Sequence, residues 1–453
     1  MRLRSTVIDS TRPSSVISLI YTRHWQFRLP QYSAGAQTGR ATRTREEGEA
    51  MSLRVLIAGG GIGGLCLAQG LRKAGIDCSV YESAPGIVQT GYRLHMNASG
   101  GAALRQCLPD NLFELYMQTS RVNVRREMFV MLDDQGRELG ARPHIGPPND
   151  PVRPHTAVNR RTLRQILAAG LDDTVRFGHA VTGFDLGADE VRLLFADGSS
   201  TSGDVLVAAD GINSVIRRQL LPDVPTIDTG ARTLSARAPL TDALVAMLPD
   251  ALFDGFASAS SADGSRFVFG AYQPRRRIAD AAADLAPGAT VDPVDPYMMV
   301  NFAVRQDSPL LADVPNLWTA SPDRLHAIMR TAVRGWHPGL VELVDRIDLA
   351  TLFPLSVRRL EPARPWTPSR VTLLGDAIHA MPPTFGAGAN SALRDAASLA
   401  TTMERVTQGI DLIEAIGDYE RDMRTHVFPI LRASADPRAM KTDFRPEELY
   451  AAT

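Results

Sequence analysis

The stretch "LRVLIAGGGIGGLCLAQGLRKAG" (53–75) decides the fold of this chain. Its first six residues form a short apolar run that predicts a buried strand. A glycine-rich turn over 59–64 follows, and "LCLAQGLRKAG" (65–75) has helical spacing and ends at Gly75, a residue suited to a helix C-terminus. "CSVYE" (78–82) predicts the next strand. The stretch therefore predicts a βαβ unit.

The turn has the spacing Gly59-x-Gly61-x-x-Gly64. The first glycine permits the tight turn, the second lets the backbone approach a pyrophosphate, and the third lets helix and strand pack closely. Free N–H groups at the helix N-terminus then favour the phosphate charge. Glu82 lies eighteen residues after Gly64 and ends the second strand, where an acid binds ribose hydroxyls. The pattern predicts the adenosine end of FAD or NAD, without a 2′-phosphate.

Composition excludes several classes of function. A net charge of −1 over 453 residues provides no electrostatic basis for binding nucleic acid or an anionic membrane, and the length predicts two or three domains. Cys66, Cys78 and Cys107 have no CxxC spacing, which favours a reducing compartment, and we expect a cytoplasmic protein. The nine histidines show no HxxxH or HxxEH spacing, so we expect no metal site. No apolar run approaches the roughly 20 residues of a membrane span.

Residues 1–50 differ from the rest because they are rich in Arg, Ser and Thr and lack periodicity. The composition loosely resembles a transit peptide. We favour a disordered extension or a start assigned upstream of Met51, since "MSLRVLIAGGG" begins like a complete nucleotide-binding protein.

The remaining chain divides by pattern into four ranges. The first, 51–225, contains the βαβ opening, an amphipathic helix (159–171) and a small antiparallel meander that returns to an apolar strand (204–210). Residues 226–365 are richer in Pro, Ala and Asp and predict an inserted sheet-plus-helix domain. The nucleotide-type pattern resumes over 366–410, and 411–453 predicts a long helix interrupted near Pro429.

Two further motifs follow strands. Asp210-Gly211 comes after an apolar strand, and Ser214 then caps a helix that carries Arg217 and Arg218. The second motif is "LLGDAIHAMPPTFGAGAN" (373–390), in which Asp376 can accept hydrogen bonds from the hydroxyls of a sugar-like chain. Its proline pair stiffens the loop, and its glycines leave backbone N–H groups uncovered before the next helix. Each motif alone is also compatible with an ordinary strand-to-helix turn.

Together, in this order, the three motifs make the chain resemble the flavoprotein aromatic hydroxylases of the p-hydroxybenzoate hydroxylase type, over about residues 51–435. The segments "NRRTLRQIL", "GDAIHAMPP" and "DYERDM" are most similar to the tetracycline-inactivating monooxygenases. The resemblance implies an α/β fold: a glutathione-reductase-type, Rossmann-like FAD domain with an inserted sheet-plus-helix substrate domain and a C-terminal helix.

The resemblance also assigns residues to the cofactor. The first glycine turn and Glu82 would hold the ADP half of FAD, Asp376 the ribityl chain, and the second glycine loop the isoalloxazine ring. Asp210 would lie near the pyrophosphate, and His379 would be a packing residue. The expected cofactor-binding set is Gly59, Gly61, Ile62, Gly63, Gly64, Glu82, Arg93, Arg160, Asp210, Gly375, Asp376, Pro383, Gly386, Ala387, Gly388, Ala389 and Asn390. Ala387 departs from the family pattern, which has Gln between the two glycines, so we expect altered ring mobility rather than lost FAD binding.

The chemistry implied by the resemblance is monooxygenation. By this resemblance, NAD(P)H would reduce the flavin, O₂ would add at C4a, and the hydroperoxide would deliver one oxygen atom to the substrate, with no catalytic acid or base from a side chain. The insertion would cover the pocket, and the apolar candidates to line it are Phe256, Phe269, Tyr272, Met299 and Phe385. Each is equally compatible with plain core.

The sequence leaves several alternatives open for the substrate and the reaction. An apolar pocket would favour a bulky aromatic, polycyclic or polyketide-like substrate, as in secondary metabolism or antibiotic modification. Baeyer–Villiger oxygenation or epoxidation is the alternative reaction, and a flavin halogenase is disfavoured because no WxWxIP-like element is present. A ligand-binding flavoprotein that does not oxygenate is the alternative from another class. We expect a monomer or a homodimer.

Overall fold

A strand, a helix and a second strand follow one another from Arg54 to Glu82, as the opening pattern predicts. The computed structural model describes residues 53–87, 92–144, 155–262, 264–436 and 438, so the expectations for residues 1–50 lie outside it. Up to residue 225 the elements are β1 (Arg54–Ala58), α1 (Ile62–Lys73), β2 (Asp77–Glu82), β3 (Arg93–Met96), α2 (Ala98–Cys107), α3 (Asp110–Thr119), β4 (Met128–Asp133), β5 (Glu138–Pro143), β6 (Thr156–Asn159), α4 (Arg160–Ala168), β7 (Val175–Phe177), β8 (Val181–Leu186), β9 (Val191–Phe195), β10 (Ser200–Gly203), β11 (Val205–Ala208) and α5 (Val215–Leu220).

The second half of the chain contains longer strands. Its elements are β12 (Thr226–Pro239), α6 (Asp242–Val245), β13 (Gly255–Ser260), β14 (Arg266–Tyr272), α7 (Ile278–Leu285), β15 (Tyr297–Arg305), α8 (Pro322–Ala332), α9 (Pro338–Asp345), β16 (Phe353–Leu360), β17 (Val371–Leu373), α10 (Asp376–His379), α11 (Gly388–Thr407) and α12 (Leu412–Ser434). Single 3₁₀ turns lie at Asp250–Phe253, Pro309–Leu311, Leu349–Thr351 and Pro383–Phe385.

A five-stranded parallel sheet in the order β17-β11-β1-β2-β7 carries the glycine turn. Val55 of β1 pairs with Val205 on one side and Cys78 on the other, so β1 is an inner strand of this sheet. Strands β1 and β11 are almost continuously apolar and buried, as is typical of a parallel sheet covered on both faces. Helix α1 packs against α2 and α11 within the same core. The meander predicted from the sequence is the three-stranded antiparallel sheet β10-β9-β8.

A seven-stranded sheet in the order β16-β12-β15-β14-β13-β4-β5 forms the second large layer. Its pairings are antiparallel except for β13 with β4. The range predicted for the insertion, 226–365, supplies five of these strands, and β4 and β5 join them from the earlier part of the chain. A second hydrophobic core, which includes Phe267 and Phe302, lies between this sheet and helices α8 and α9.

Several predicted boundaries differ from the structure. Helix α1 begins at Ile62 rather than at Leu65, because the N-terminal glycines already belong to its first turn. Helix α4 ends at Ala168, three residues before the predicted end. Helix α12 runs without interruption through Pro429, so the predicted break is wrong. Its apolar face is buried on both sides of the proline, and this packing outweighs the cost of the missing hydrogen bond.

Candidate active site

The first glycine turn brings backbone to the edge of a cavity at the carboxyl end of β1. Gly59 adopts φ of 108°, and its N–H donates to Tyr81 O at 2.8 Å. Gly61 is the N-cap of α1, and among the described residues no side chain caps this helix end. The first N–H groups of α1 are therefore left for a ligand, with the favourable end of the helix dipole behind them.

Glu82 lies beside this turn. Its Oε2 accepts from Gly60 N at 3.1 Å, and its Oε1 accepts from Ala84 N at 2.9 Å. Arg164 of α4 donates to Gly60 O at 2.7 Å and lies 3.5 Å from Glu82 Oε2. This arrangement holds the Glu82 carboxylate beside the glycine turn.

The second glycine loop begins where β17 ends. Gly375 adopts φ of 61°, and Asp376 starts the short helix α10. The Asp376 carboxylate accepts no hydrogen bond within the described part of the chain and is accessible from the cavity. Its Oδ1 faces α11, since a Cβ placed on Gly388 would lie 3.8 Å away. Burial raises the pKa of Asp376, although the charges of His379 and Arg160 act against that rise.

A buried ion pair supports this turn from behind. His379 Nε2 lies 2.6 Å from Asp395 Oδ2, and both side chains are fully buried. The same carboxylate oxygen accepts from Gly375 N at 3.0 Å. His379 therefore acts on the loop through Asp395 and does not line the cavity, in keeping with its expected packing role.

Asn390 connects the second loop to β3. Its Nδ2 donates to His95 O at 2.9 Å and to Gly386 O at 3.1 Å, and its Oδ1 accepts from Asn97 N at 2.9 Å. Both polar atoms of the Asn390 side chain thus bond to backbone. This residue therefore holds the loop in shape, while the neighbouring residues line the cavity.

One cavity of about 340 Å³ joins both glycine loops to the seven-stranded sheet. This volume is in the range of small-molecule sites. Fourteen of the sequence-predicted residues line it: Gly61, Ile62, Gly63, Arg93, Arg160, Gly375, Asp376, Pro383, Gly386, Gly388, Ala389, Phe256, Met299 and Phe385.

Eight predicted residues do not line this cavity: Gly59, Gly64, Glu82, Asp210, Ala387, Asn390, Phe269 and Tyr272. Asp210 lies between two lining residues, Ala209 and Gly211, and its Oδ2 accepts from Val215 N at 3.0 Å. Ala387 is 5 % exposed and packs with the neighbouring Phe385.

The structure contradicts the substrate-lining role expected for two aromatic residues of β14. Phe269 is fully buried in the second core, where its ring stacks with that of Phe267. Tyr272 is also fully buried, and its hydroxyl donates to Thr119 O at 2.7 Å. Both side chains therefore pack in the interior.

Sequence reasoning missed a polar wall of the cavity. His95 and His144 line it, and their ring centroids lie 4.0 Å apart. Behind them, Glu127 Oε1 lies 3.3 Å from His144 Nε2 and 3.9 Å from His95 Nδ1. Arg121 pairs with the other oxygen of Glu127. His95, Glu127 and His144 could together bind a metal ion, since their side-chain N and O atoms lie within 4.8 Å of one another. These residues are far apart in sequence, so no HxxxH-type spacing could reveal them.

Burial and neighbouring charges shift the pKa values of the side chains on this polar wall. Burial, with smaller contributions from His144 and Arg93, lowers the pKa of His95 well below its usual value. Burial also lowers the pKa of His144, against the opposing effect of Glu127. Burial alone would raise the pKa of Glu127, but His144 and Arg121 outweigh it and lower the value. Both imidazoles are therefore neutral at neutral pH.

The residues of this cavity fit FAD. The uncapped N-terminus of α1 suits a pyrophosphate, and the unpartnered carboxylate of Asp376 suits a polyol chain. Asp210 Oδ1 is buried with no hydrogen-bond partner among the described residues. The first turn of α1 and the Gly375–Asp376 turn lie close together, since a Cβ on either Gly63 or Gly375 would meet Ala392.

Residues 52–283 and 322–434 match the family described as FAD binding domain. The chain belongs to this family. It is 30 % identical over 443 residues to the dual O-methyltransferase/FAD-dependent monooxygenase elcB of Phaeosphaeria nodorum, a match that covers 88 % of this chain and 47 % of elcB. The chain thus spans about half the length of the first relatives it matches. It is 27 % identical over 412 residues to 6-hydroxynicotinate 3-monooxygenase of Pseudomonas fluorescens, covering 87 % of this chain and 94 % of the relative.

Solved structures support the same fold for this FAD-binding protein. A protein from Photorhabdus luminescens, described as an FAD-containing monooxygenase, is 31 % identical with a TM-score of 0.71, covering 84 % of this chain and 96 % of that one. The tetracycline destructase Tet(51) shares the fold with a TM-score of 0.58 at 16 % identity, covering 89 % of this chain and 96 % of that chain. The predicted fold class and the resemblance to flavin hydroxylases are confirmed. No helix among the described residues is long and apolar enough to cross a membrane.

Proposed function

We propose that this protein is an FAD-dependent monooxygenase that consumes NAD(P)H and O₂ and hydroxylates an aromatic small molecule. The main support for this proposal is that one continuous cavity contacts the N-terminus of α1, the Asp376 turn and the seven-stranded sheet. When bound, FAD supplies the redox and oxygen chemistry. The activities named for the relatives, which include a 6-hydroxynicotinate 3-monooxygenase, support this reaction class.

We propose that the two glycine loops hold opposite ends of FAD. The N–H groups of Ile62 and Gly63 would bind the pyrophosphate, and Glu82 would orient the ribose. Asp376 would accept hydrogen bonds from the ribityl hydroxyls. The backbone of the loop that ends at Gly388 would border the ring, because no side chain in the described part of the chain caps α11 and its first N–H groups stay available.

The remaining walls would exclude water and position the substrate. Phe256 and Met299 project from the large sheet, and Phe385 from the second loop, so apolar surface faces the reacting region. A dry cavity protects an oxygenating centre from unproductive loss of reducing equivalents. His95 and His144 place polar groups on the same cavity, so it is not purely apolar.

The test is a coupled measurement on the purified, FAD-loaded protein. NADH or NADPH oxidation and O₂ uptake are followed with a panel of hydroxylated pyridines, phenols and polycyclic phenols, and products formed under ¹⁸O₂ are analysed by mass spectrometry. We expect at least one aromatic compound to stimulate both rates and to gain one labelled oxygen. NMR of the product then distinguishes ring hydroxylation from Baeyer–Villiger insertion. Ligand binding with both rates at baseline would refute the proposal in favour of a non-oxygenating flavoprotein.

We also propose a cytoplasmic location and a monomeric or homodimeric state. The three free cysteines, Cys66, Cys78 and Cys107, fit a reducing compartment. Cell fractionation tests the location, and light scattering coupled to size-exclusion chromatography tests the oligomeric state. A membrane fraction or a larger assembly would contradict these proposals.

A further inference from the structure

A buried guanidinium on the polar wall has no counter-ion within the described residues. Arg93 is 3 % exposed and lines the cavity. Its Nε donates to Ala271 O at 3.1 Å and its Nη2 to Gly255 O at 2.7 Å, so both identified partners are neutral carbonyls. Its Nη1 is buried without a hydrogen-bond partner in the described part of the chain. A buried cation in this condition is costly unless an anion completes the site.

The neighbouring groups do not supply that anion. Glu127 carries the single carboxylate in the cluster of His95, His144 and Arg121, and Arg121 already pairs with it. The two histidines cannot supply the anion, because an imidazole side chain is either neutral or cationic. Arg93 therefore makes no ion pair of its own within the described residues. Burial followed by the charge of Arg121 lowers its pKa to about 9, and the more distant charge of Glu127 only partly opposes that shift.

The unpartnered ring nitrogens of His95 on this wall also favour an anionic ligand. Both ring nitrogens of His95 are buried without a hydrogen-bond partner among the described residues. A neutral imidazole carries one N–H donor, so His95 can donate to an anionic oxygen next to Arg93. The ring of Phe256, whose centroid lies 5.4 Å from the Arg93 guanidinium carbon, offers an apolar surface for an attached aromatic ring.

Gly270 of β14 makes room for this guanidinium. A Cβ at Gly270 would lie 2.7 Å from Arg93 Cδ and 3.0 Å from its Nε. Gly270 has no positive φ, so its backbone could accommodate alanine without strain. The added Cβ would collide with the Arg93 side chain, which would have to move. The position of the charge thus depends on a glycine in the neighbouring sheet.

We propose that Arg93, with His95 and His144, forms a subsite for an anionic oxygen of the substrate, either a carboxylate or the oxyanion of an acidic ring hydroxyl. This inference rests on the proposed function and narrows it to acidic aromatic substrates. A divalent cation on His95, Glu127 and His144 is disfavoured, because Arg93 and Arg121 would repel it and a single carboxylate would have to balance all three cationic groups.

The experiment measures binding rather than turnover. Titration calorimetry of the FAD-loaded protein compares benzoate with benzamide, which has the same shape without the charge, and 4-nitrophenol with 4-nitroanisole. A charged hydrogen bond in a buried site predicts about tenfold or stronger binding of the anion in at least one pair. The first pair reports a carboxylate site, and the second reports an oxyanion site through the absorbance of bound nitrophenolate.

Single substitutions test which residue causes the preference for the anion. We expect Arg93→Gln to abolish the preference for the anion, and Gly270→Ala to reduce it while all charges are retained. Arg105→Gln is the control, since Arg105 is a half-exposed arginine that pairs with Asp110. FAD content and Tm verify folding. If Arg93→Gln does not fold, Gly270→Ala and the wild-type ratios decide the question.

The outcomes separate this inference from the proposed function. Preference for an anion that depends on Arg93 supports the subsite even if no compound stimulates O₂ uptake. Equal binding of both members of each pair would overturn it, whether or not the protein is a monooxygenase. Tight binding of Zn²⁺ that His144→Asn removes, without preference for anions, would overturn it in favour of a metal site.

Discussion

The buried ion pair between His379 and Asp395 should hold the Asp376 turn in place. Asp395→Asn keeps the size of the side chain and retains an acceptor for Gly375 N, so it removes chiefly the charge. Both partners of the pair are fully buried, and His379 would be left without its anion. We expect the variant to be less stable and to bind FAD more weakly.

The magnitude follows from the burial. Breaking a buried ion pair by removing one partner costs about 3–5 kcal/mol. An unfolding entropy of about 2.1 cal/mol/K per residue corresponds to roughly 0.8–1 kcal/mol per degree for a chain of this length. We therefore expect Tm to fall by about 3–6 °C.

The pH dependence of this difference has a defined sign. Burial by itself would lower the pKa of His379, but Asp395 and Asp376 outweigh it and raise the value above the ordinary one. The pair stabilises fully below the unfolded pKa of about 6.5, and this contribution is lost as pH rises through the folded value. The Tm gap between wild type and Asp395→Asn should be widest in mildly acidic buffer and narrow at higher pH.

The assay is differential scanning fluorimetry over a pH series, with a flavin fluorescence titration for FAD affinity. The matched control is Asp422→Asn, because Asp422, like Asp395, contacts a histidine, but it also contacts an arginine and is 38 % exposed. Exposed pairs contribute about 1 kcal/mol or less, so its Tm should move by about 1 °C or less. A gap that widens as pH rises, or Asp395→Asn and Asp422→Asn shifting Tm equally, would refute the reasoning.

Three further substitutions test the loops. Asp376→Asn should weaken FAD binding by about tenfold or more in a fluorescence titration, because its carboxylate has no other partner in the described structure. Gly63→Ala should lower FAD content and destabilise the fold by about 1–3 kcal/mol in urea unfolding, since its Cβ would lie 2.6 Å from Leu374 Cδ1. Ala387→Gln, which restores the family residue, should cost about 1–3 kcal/mol because Ala387 is already packed, and calorimetry measures this as a lower Tm.

The controls for these substitutions lie elsewhere in the chain. Asp185→Asn removes an exposed carboxylate that pairs with Arg192, and FAD affinity should not change. Gly288→Ala adds a Cβ that meets no atom within 4 Å, and unfolding should be unaffected. Unchanged FAD affinity in Asp376→Asn, a neutral Gly63→Ala, or a higher Tm in Ala387→Gln would each contradict the corresponding explanation.

The parts of the fold that depend on local pattern could be predicted. The strand, glycine turn and helix over 53–75 follow from apolar periodicity and glycine spacing, which act over a few residues. The course of α12 through Pro429 could not be predicted locally, because burial of the helix on both sides of the proline decides it. The aromatic residues of β14 show the same limit, since strand alternation indicates burial but not which cavity or core receives each side chain.

By itself, the sequence determined the fold family, the two glycine loops and the acids beside them, since each motif is contiguous and its chemistry follows from its own spacing. Only the tertiary structure decided the character of the cavity. Arg93 comes from β3, Glu127 precedes β4, and His144 follows β5, so strand pairing and packing alone bring their side chains together. Their charges then shift one another's pKa values in a buried site, and the polarity of the cavity arises from that assembly.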